Sequence, residues 1–377
     1  MDYTKTYYEL KSLFTFSQKE ISVPGSGIKI HNIGFRSDTS VNQFINENDS
    51  LIFENNSFIY PVFAPERKES NKVILLLHGL NERSWVKYLV WAYWLAKYTE
   101  SYIILFPISF HINRSPAVWK DPRAMIPLMK VRNSEPVEIN MSSFANVALS
   151  NRLTEDPMRF FNSGYQTAAD IIKLFLAIRD GEHPIIPRTS NINIFAYSIG
   201  AFLGEIILMG NPENLFSKSK LFIFCGGSVF SNMRGSSKLI MDSLAFEKVY
   251  NFYLDDFEKK ITGKSALSDL LKFSQIGMAF RSMIDLGRLK NFRENVLRKL
   301  NGQIHAIALL KDKVIPASGA VETHRIWKKE MFNHVKVWDF PYLYSHENPF
   351  PVFDTPLNQQ VDRCFDKVFN EALAFFS

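Results

Sequence analysis

Ile192-Asn193-Ile194-Phe195-Ala196-Tyr197-Ser198-Ile199-Gly200-Ala201-Phe202-Leu203-Gly204 reads as a buried strand driven through a tight turn directly into a helix. β-branched and aromatic residues supply the strand. The small residues Ala196 and Gly200, two positions either side of Ser198, let backbone pack closely at a strained corner. Ser198 sits at the apex and is expected to project its hydroxyl into open space. The Ile199 N–H then falls at a helix N-terminus, where unsatisfied donors and the macrodipole favour a developing negative charge. A serine N-cap on an ordinary buried helix is the plain alternative, and the rest of the chain must distinguish the two.

Working outward, short β-branched runs alternate with longer amphipathic ones from about residue 50 onward. That alternation predicts an α/β fold with a mostly parallel central sheet and helices on both faces. Strands are expected at 57–63, 72–77, 102–106, 192–197, 220–224, 304–310 and 334–340, and helices at 85–98, 163–179, behind Ser198, at 317–329 and at 357–375. Two stretches interrupt the rhythm, about 107–160, rich in Pro, Asn, Arg and Met, and about 228–303, mostly helical. Both leave the carboxyl ends of strands, the side on which open α/β sheets bind ligands, so they are expected to form a lid. Residues 1–50 read as an N-terminal extension that could add edge strands, and 51–377 as the main domain carrying both insertions.

A serine hydroxyl needs a base to take its proton, and that base is best held by a buried carboxylate. Ala308-Leu309-Leu310-Lys311-Asp312-Lys313-Val314-Ile315-Pro316 places Asp312 just past a strand, in a turn that Pro316 hands to a helix. Pro341-Tyr342-Leu343-Tyr344-Ser345-His346-Glu347-Asn348-Pro349 carries His346 in the loop between the last strand and the last helix. Val73-Ile74-Leu75-Leu76-Leu77-His78-Gly79-Leu80-Asn81 is an apolar strand ending in a His-Gly turn, where Gly79 lets the Leu80 N–H aim at the same point as that of Ile199. His78 is expected to serve structure through hydrogen bonds. Asn81 and Tyr197 are candidate substrate-binding residues, while turn chemistry is the plainer role for Glu82 and Arg83.

These four windows, taken together, resemble the α/β-hydrolase superfamily rather than any one member of it. The serine corner is similar to its nucleophile elbow, with Ala196 in place of the first glycine. The order Ser198, Asp312, His346 is the order that superfamily uses. The resemblance implies a serine hydrolase cleaving a carboxylic ester through an acyl-enzyme, with catalytic Ser198, Asp312 and His346, an oxyanion hole of the Leu80 and Ile199 N–H groups, and no cofactor. Thioesterase, peptidase or acyltransferase chemistry on the same triad stands beside it, as does a catalytically silent hydrolase fold used for binding. Asp242, Asp255, Asp256 and Asp339 are alternative acids, though none has the turn context of Asp312.

Composition narrows the field further. The 377 residues are 46% hydrophobic and 22% charged, with a net charge of +6 spread among mixed signs, so nucleic acid is not an expected partner and a small acyl compound is. Phe is abundant at 33 copies, which hints only weakly at an apolar pocket. Arg281 to Lys299 reads as a basic amphipathic helix that could touch a membrane surface, although packing on the protein is the favoured role. The two cysteines, Cys225 and Cys364, are expected as free thiols, and no secretory signal or apolar span of about 20 residues is visible, so the expected location is cytoplasmic. Neither a His-Glu-x-x-His pattern nor paired cysteines suggests a metal. The sequence leaves the oligomeric state open.

Overall fold

Among the described residues, short runs of β-branched and aromatic residues form the nine strands of a single sheet: β1 Glu20–Val23, β2 Ile28–Arg36, β3 Ser57–Pro65, β4 Lys72–Leu77, β5 Tyr102–Leu105, β6 Asn191–Tyr197, β7 Leu221–Phe224, β8 Ile304–Leu309 and β9 Val335–Trp338. The computed structural model describes residues 1–38, 47–66, 70–325, 334–352 and 357–377. The strand order is β1-β2-β3-β5-β4-β6-β7-β8-β9. From β5 to β9 neighbours run parallel, while β1, β2 and β3 add an antiparallel edge.

Parallel neighbours need long crossovers, and helices supply them. The helix Val86–Thr99 joins β4 to β5, Met158–Asp180 precedes β6, and Ile199–Gly210 joins β6 to β7. The chain steps from β4 outward to β5 and then returns to β6 on the other side of β4. A reversal of this kind opens a crevice between the carboxyl ends of the two strands. Gly79 and Ser198 follow those ends.

Successive strand residues face opposite sides, and each side meets its own apolar layer. Val73, Leu75 and Leu77 of β4 with Ile194 and Ala196 of β6 face the helices Met158–Asp180 and Ile199–Gly210. Ile74, Leu76, Phe195 and Tyr197 face Val86–Thr99 and Asn358–Phe376, on which Tyr3–Leu13 also packs. β4 and β6 are therefore apolar on both faces, as expected for the centre of a parallel sheet covered by helices.

The insertions fold as irregular helical segments that pack on each other. The first holds Pro122–Asn133, with Asp121 capping its start, and Val147–Glu155; the second holds Ser243–Asn251, Ala266–Phe273, Gln275–Ser282 and Lys290–Lys299. A buried ion pair between Arg132 and Asp242 joins them, with Arg132 Nη2 at 2.8 Å from Asp242 Oδ1. Asn146 Nδ2 donates to Ser237 O at 2.9 Å and Ser143 Oγ to Lys238 O at 2.5 Å.

Three departures from the sequence expectation exceed two residues. Met158–Asp180 begins about a turn before Ser163, because Phe161 and Met158 extend its buried stripe. The helix expected over 317–329 is seen as Ala317–Thr323, and 326–329 lie outside the described residues. The continuous basic helix from Arg281 to Lys299 is corrected: the chain breaks after Ser282, the Asp285 carboxylate accepts the Gly287 and Arg288 N–H groups, and Leu289 turns left-handed at φ 46° before Lys290–Lys299 starts. Arg281 pairs with Glu258, and buried Arg293 donates to the carbonyls of Ser282, Asp285 and Leu286. Those guanidiniums serve the insertion's own backbone and ion pairs.

Candidate active site

Ser198 occupies the corner between β6 and Ile199–Gly210 at φ 58°, ψ −125°, a conformation costly for a residue with a side chain and one that persists only where its surroundings impose it. Two close approaches do so. A Cβ at Gly200 would lie 2.6 Å from Leu77 O and 2.7 Å from His78 O, so only glycine lets the helix start abut the end of β4. A Cβ at Gly226 would lie 2.5 Å from the Ala201 side chain and 3.1 Å from Ser198 O, so the end of β7 closes on the corner from the other side. Ala196 is fully buried with Gly204 against it, which explains why a small residue, glycine or alanine, suffices there.

Ser198, Asp312 and His346 lie far apart in sequence and meet here. Ser198 Oγ is 2.6 Å from His346 Nε2, and His346 Nδ1 is 2.7 Å from Asp312 Oδ2. The other oxygen of Asp312 accepts the Val314 and Ile315 N–H groups at 2.8 and 2.9 Å, which fixes the carboxylate in its turn. A carboxylate accepts, so Nδ1 carries the proton and Nε2 presents its lone pair to the serine hydroxyl. All three residues are no more than 5% exposed, so these hydrogen bonds are shielded from competing water. Neither the Leu80 nor the Ile199 N–H donates to an acceptor among the described residues.

Asn81 and Tyr197 line the space above Ser198, but their polar groups engage the protein itself. Asn81 Nδ2 donates to Ala145 O at 2.9 Å and Leu239 O at 2.8 Å, tying the loop after β4 to both insertions. The Tyr197 hydroxyl donates to the carbonyl of His346, and its ring stacks on the imidazole with centroids 5.6 Å apart. Burial pushes the Tyr197 phenol well above its usual range, so it remains a donor. His78 is fully buried: its Nδ1–H donates to Gly79 O at 2.7 Å and its Nε2 accepts the Ile108 N–H at 2.9 Å. Burial, and then the neighbouring His111, hold it well below the ordinary histidine range, and it is a neutral tie between the ends of β4 and β5.

A second network escaped the sequence reading. The Gly79 N–H donates to Tyr88 Oη at 2.9 Å, Tyr88 Oη donates to Glu82 Oε1 at 2.7 Å, and Lys87 bonds both Glu82 and the carbonyl of Glu347, the latter at 3.0 Å. It locks the loop bearing the Leu80 N–H to the loop bearing His346. Lys87 and Tyr88 look like ordinary residues of an amphipathic helix, and nothing in their local sequence marks them. Of the alternative acids, Asp242 is held by Arg132, Asp339 pairs with Lys311 at 2.8 Å, and Asp255 and Asp256 lie on the second insertion. Only Asp312 among them bonds His346.

Two spaces reach the serine and a third lies beside them. A polar vestibule of about 600 Å³ carries Glu82, Arg83, His346 and Glu347 beside Ser198. A chamber of about 440 Å³ runs from Ser198 between Phe230, Met241, Val249 and Ile315. The third, an apolar space larger than the second, lies along Ile199, Phe202 and Ile206. Among the described residues no cluster of His, Cys, Asp and Glu could hold a metal ion, and no helix is long and apolar enough to cross a membrane.

Residues 38–377 match the family of unknown function DUF6051. The chain belongs to that family. No curated protein matches it in sequence. Among solved structures it is similar to a carboxyl esterase from the mycorrhizal fungus Tuber melanosporum, at 10% identity and TM-score 0.47 over 99% of this chain and 97% of that one. It is also similar to an acetyl xylan esterase from Paenibacillus sp. R4, at 14% identity and TM-score 0.43 over 97% and 94% of the two chains. A third is the peroxisomal alpha-beta-hydrolase Lpx1 of Saccharomyces cerevisiae, at 12% identity and TM-score 0.41 over 92% and 90%. The strand order, the antiparallel edge and the strand–turn–helix corner make this DUF6051 chain an α/β-hydrolase fold. What it does rests on its own side chains.

Proposed function

We propose that the protein is a serine hydrolase that cleaves carboxylic esters through an acyl-enzyme. One observation carries the reading: a serine held in a strained corner, 2.6 Å from an imidazole nitrogen whose opposite nitrogen bonds a buried carboxylate at 2.7 Å. A hydroxyl bound in this way can lose its proton to Nε2 as it attacks a carbonyl carbon, and Asp312 stabilises the imidazolium that forms. The carbonyl oxygen, now an anion, receives the Leu80 and Ile199 N–H groups. Collapse of the tetrahedral species breaks the bond to the alcohol oxygen, which takes the proton from Nε2. Water entering from the vestibule then gives its proton to the same nitrogen, attacks the acyl-serine, and leaves the free acid and a restored Ser198.

The insertions act as the lid of this site, contributing Ala145 and Leu239 to the vestibule and Met241 and Val249 to the chamber beside Ser198. Both thiols are free and buried, which accords with a reducing, cytoplasmic setting. The test is pre-steady-state hydrolysis of p-nitrophenyl acetate. A burst of p-nitrophenol stoichiometric with enzyme, absent from Ser198→Ala, is the expected result. Turnover that survives Ser198→Ala unchanged would place the chemistry elsewhere.

A further inference from the structure

Two apolar spaces lie next to each other at this site, and one aromatic side chain lines both. Ser198 lines the smaller chamber but not the larger. Leu80, Phe160 and Ile199 line both. Leu80 and Ile199 are placed by the loops that carry the two amide groups, which leaves Phe160 as the part of the wall contributed by an insertion boundary. Its ring lies between Phe202 of the larger chamber, 6.2 Å away, and Phe230 of the smaller, 5.5 Å away. Tyr253 packs on it at 5.6 Å.

Phe160 is held in place by its backbone. It is the third residue of Met158–Asp180, and the buried Tyr253 hydroxyl, from the second insertion, donates to Pro157 O and accepts the Phe161 N–H, each at 3.1 Å. The first turn of that helix is thereby pinned on both sides of the ring. Behind the ring, the larger chamber follows the helix from Ile199 to Ile206, about 10 Å at the rise of an α-helix. It is apolar along that wall and long enough to hold an extended alkyl chain.

We propose that Phe160 sets the acyl-chain length of this enzyme: the acyl groups it accepts are short or branched aliphatic ones that fill the chamber at Ser198 and stop at the ring, and the space behind becomes usable only when the ring is removed. This rests on the hydrolase reading above and adds to it the substrate class and the residue that selects it. The alcohol half of the ester then lies in the polar vestibule, beside Arg83 and Glu347. Each methylene that meets the Phe160 ring instead of open space costs roughly tenfold in kcat/KM.

The experiment compares p-nitrophenyl esters from acetate to decanoate with native protein, Phe160→Ala, Phe160→Leu and Tyr253→Phe, each checked for an unaltered circular dichroism spectrum. The expected result is a ratio of octanoate to acetate kcat/KM that rises by roughly tenfold or more in Phe160→Ala, and by less in Phe160→Leu and Tyr253→Phe. Calorimetric binding of octanoate reads the same wall without turnover, and is expected to tighten in Phe160→Ala. A ratio and an octanoate affinity that both stay within about twofold of native in folded Phe160→Ala and Phe160→Leu would overturn the assignment. Tighter octanoate binding with no ester hydrolysed by native protein would leave the chamber assignment standing and remove the hydrolase reading instead.

Discussion

At the carboxyl edge of the sheet, the groups of the candidate site hang from backbone that neighbouring strands hold rigidly: Ser198 at the end of β6, Asp312 after β8, His346 after β9 and the Leu80 N–H after β4. In the insertions, by contrast, short helices are joined by side chains bonded to distant carbonyls, as with Asn146 and Arg293, and by the Arg132–Asp242 ion pair. The first region fixes atoms to within hydrogen-bond tolerance. The second shapes the space those atoms look into, so the proposed function assigns chemistry and selectivity to separately built parts of the fold.

The sharpest way to break this contrast is to remove chemistry without touching stability. Ser198→Ala and His346→Ala are each expected to lower kcat by about 10⁴-fold or more with the thermal midpoint held, checked by ester hydrolysis beside calorimetry. Asp242→Ala should do the reverse. It strands a buried guanidinium and is expected to lower stability by about 4 kcal/mol in urea unfolding, while folded protein retains the Ser198–His346–Asp312 contacts. Were Asp242→Ala to abolish turnover in a fully folded sample, the carboxylate would have a role at the sheet edge after all.

Gly200→Val sharpens the comparison from the other side, because the sheet edge tolerates no added volume. With a Cβ only 2.6 Å from Leu77 O, about 3 kcal/mol of stability and most activity should be lost together.

Acid is expected to act next. Burial lowers His111, in the first insertion, from 6.5 to about 4, with its Nδ1–H donating to Ser109 O. Burial lowers His183 likewise to about 4, and its Nδ1 accepts the N–H groups of Ile185 and Ile186. Both are neutral in the folded chain. The unfolded chain binds these protons near pH 6.5, so stability is full above that pH and falls as pH drops toward 4. For His111 the loss is about 2 kcal/mol by pH 5, and His111→Phe should flatten the urea-unfolding slope between those values. Smallest of all, Lys299→Gln on the exposed side of Lys290–Lys299 should change stability by less than about 0.5 kcal/mol.

The same division decides what could be read from the sequence. Strand β4 was legible residue for residue, and β6 to within one, because a run apolar on both faces between turn residues has few other uses. The serine corner was legible because Gly200 is dictated by backbone contact. Asp312 and His346 could be placed because they follow strands in a fixed order. The Glu82–Lys87–Tyr88 tie was not legible, since its partners come together only when the β4 loop and the His346 loop meet. The break at Asp285–Leu289 was missed for a related reason: apolar spacing continues across it, and an aspartate turn at Gly287 overrides the period. Phe160 is one of 33 phenylalanines, and only its position between two chambers distinguishes it.

The central claim is that Ser198 is an activated nucleophile, and reaction with a fluorophosphonate probe tests it most directly. Native protein and Ser198→Ala are incubated with the probe, digested, and the adduct is located by peptide mass spectrometry. The account predicts one adduct, on the peptide containing Ser198, and none in Ser198→Ala. Folded native protein that stays unlabelled, or that carries the adduct on another residue, would contradict it.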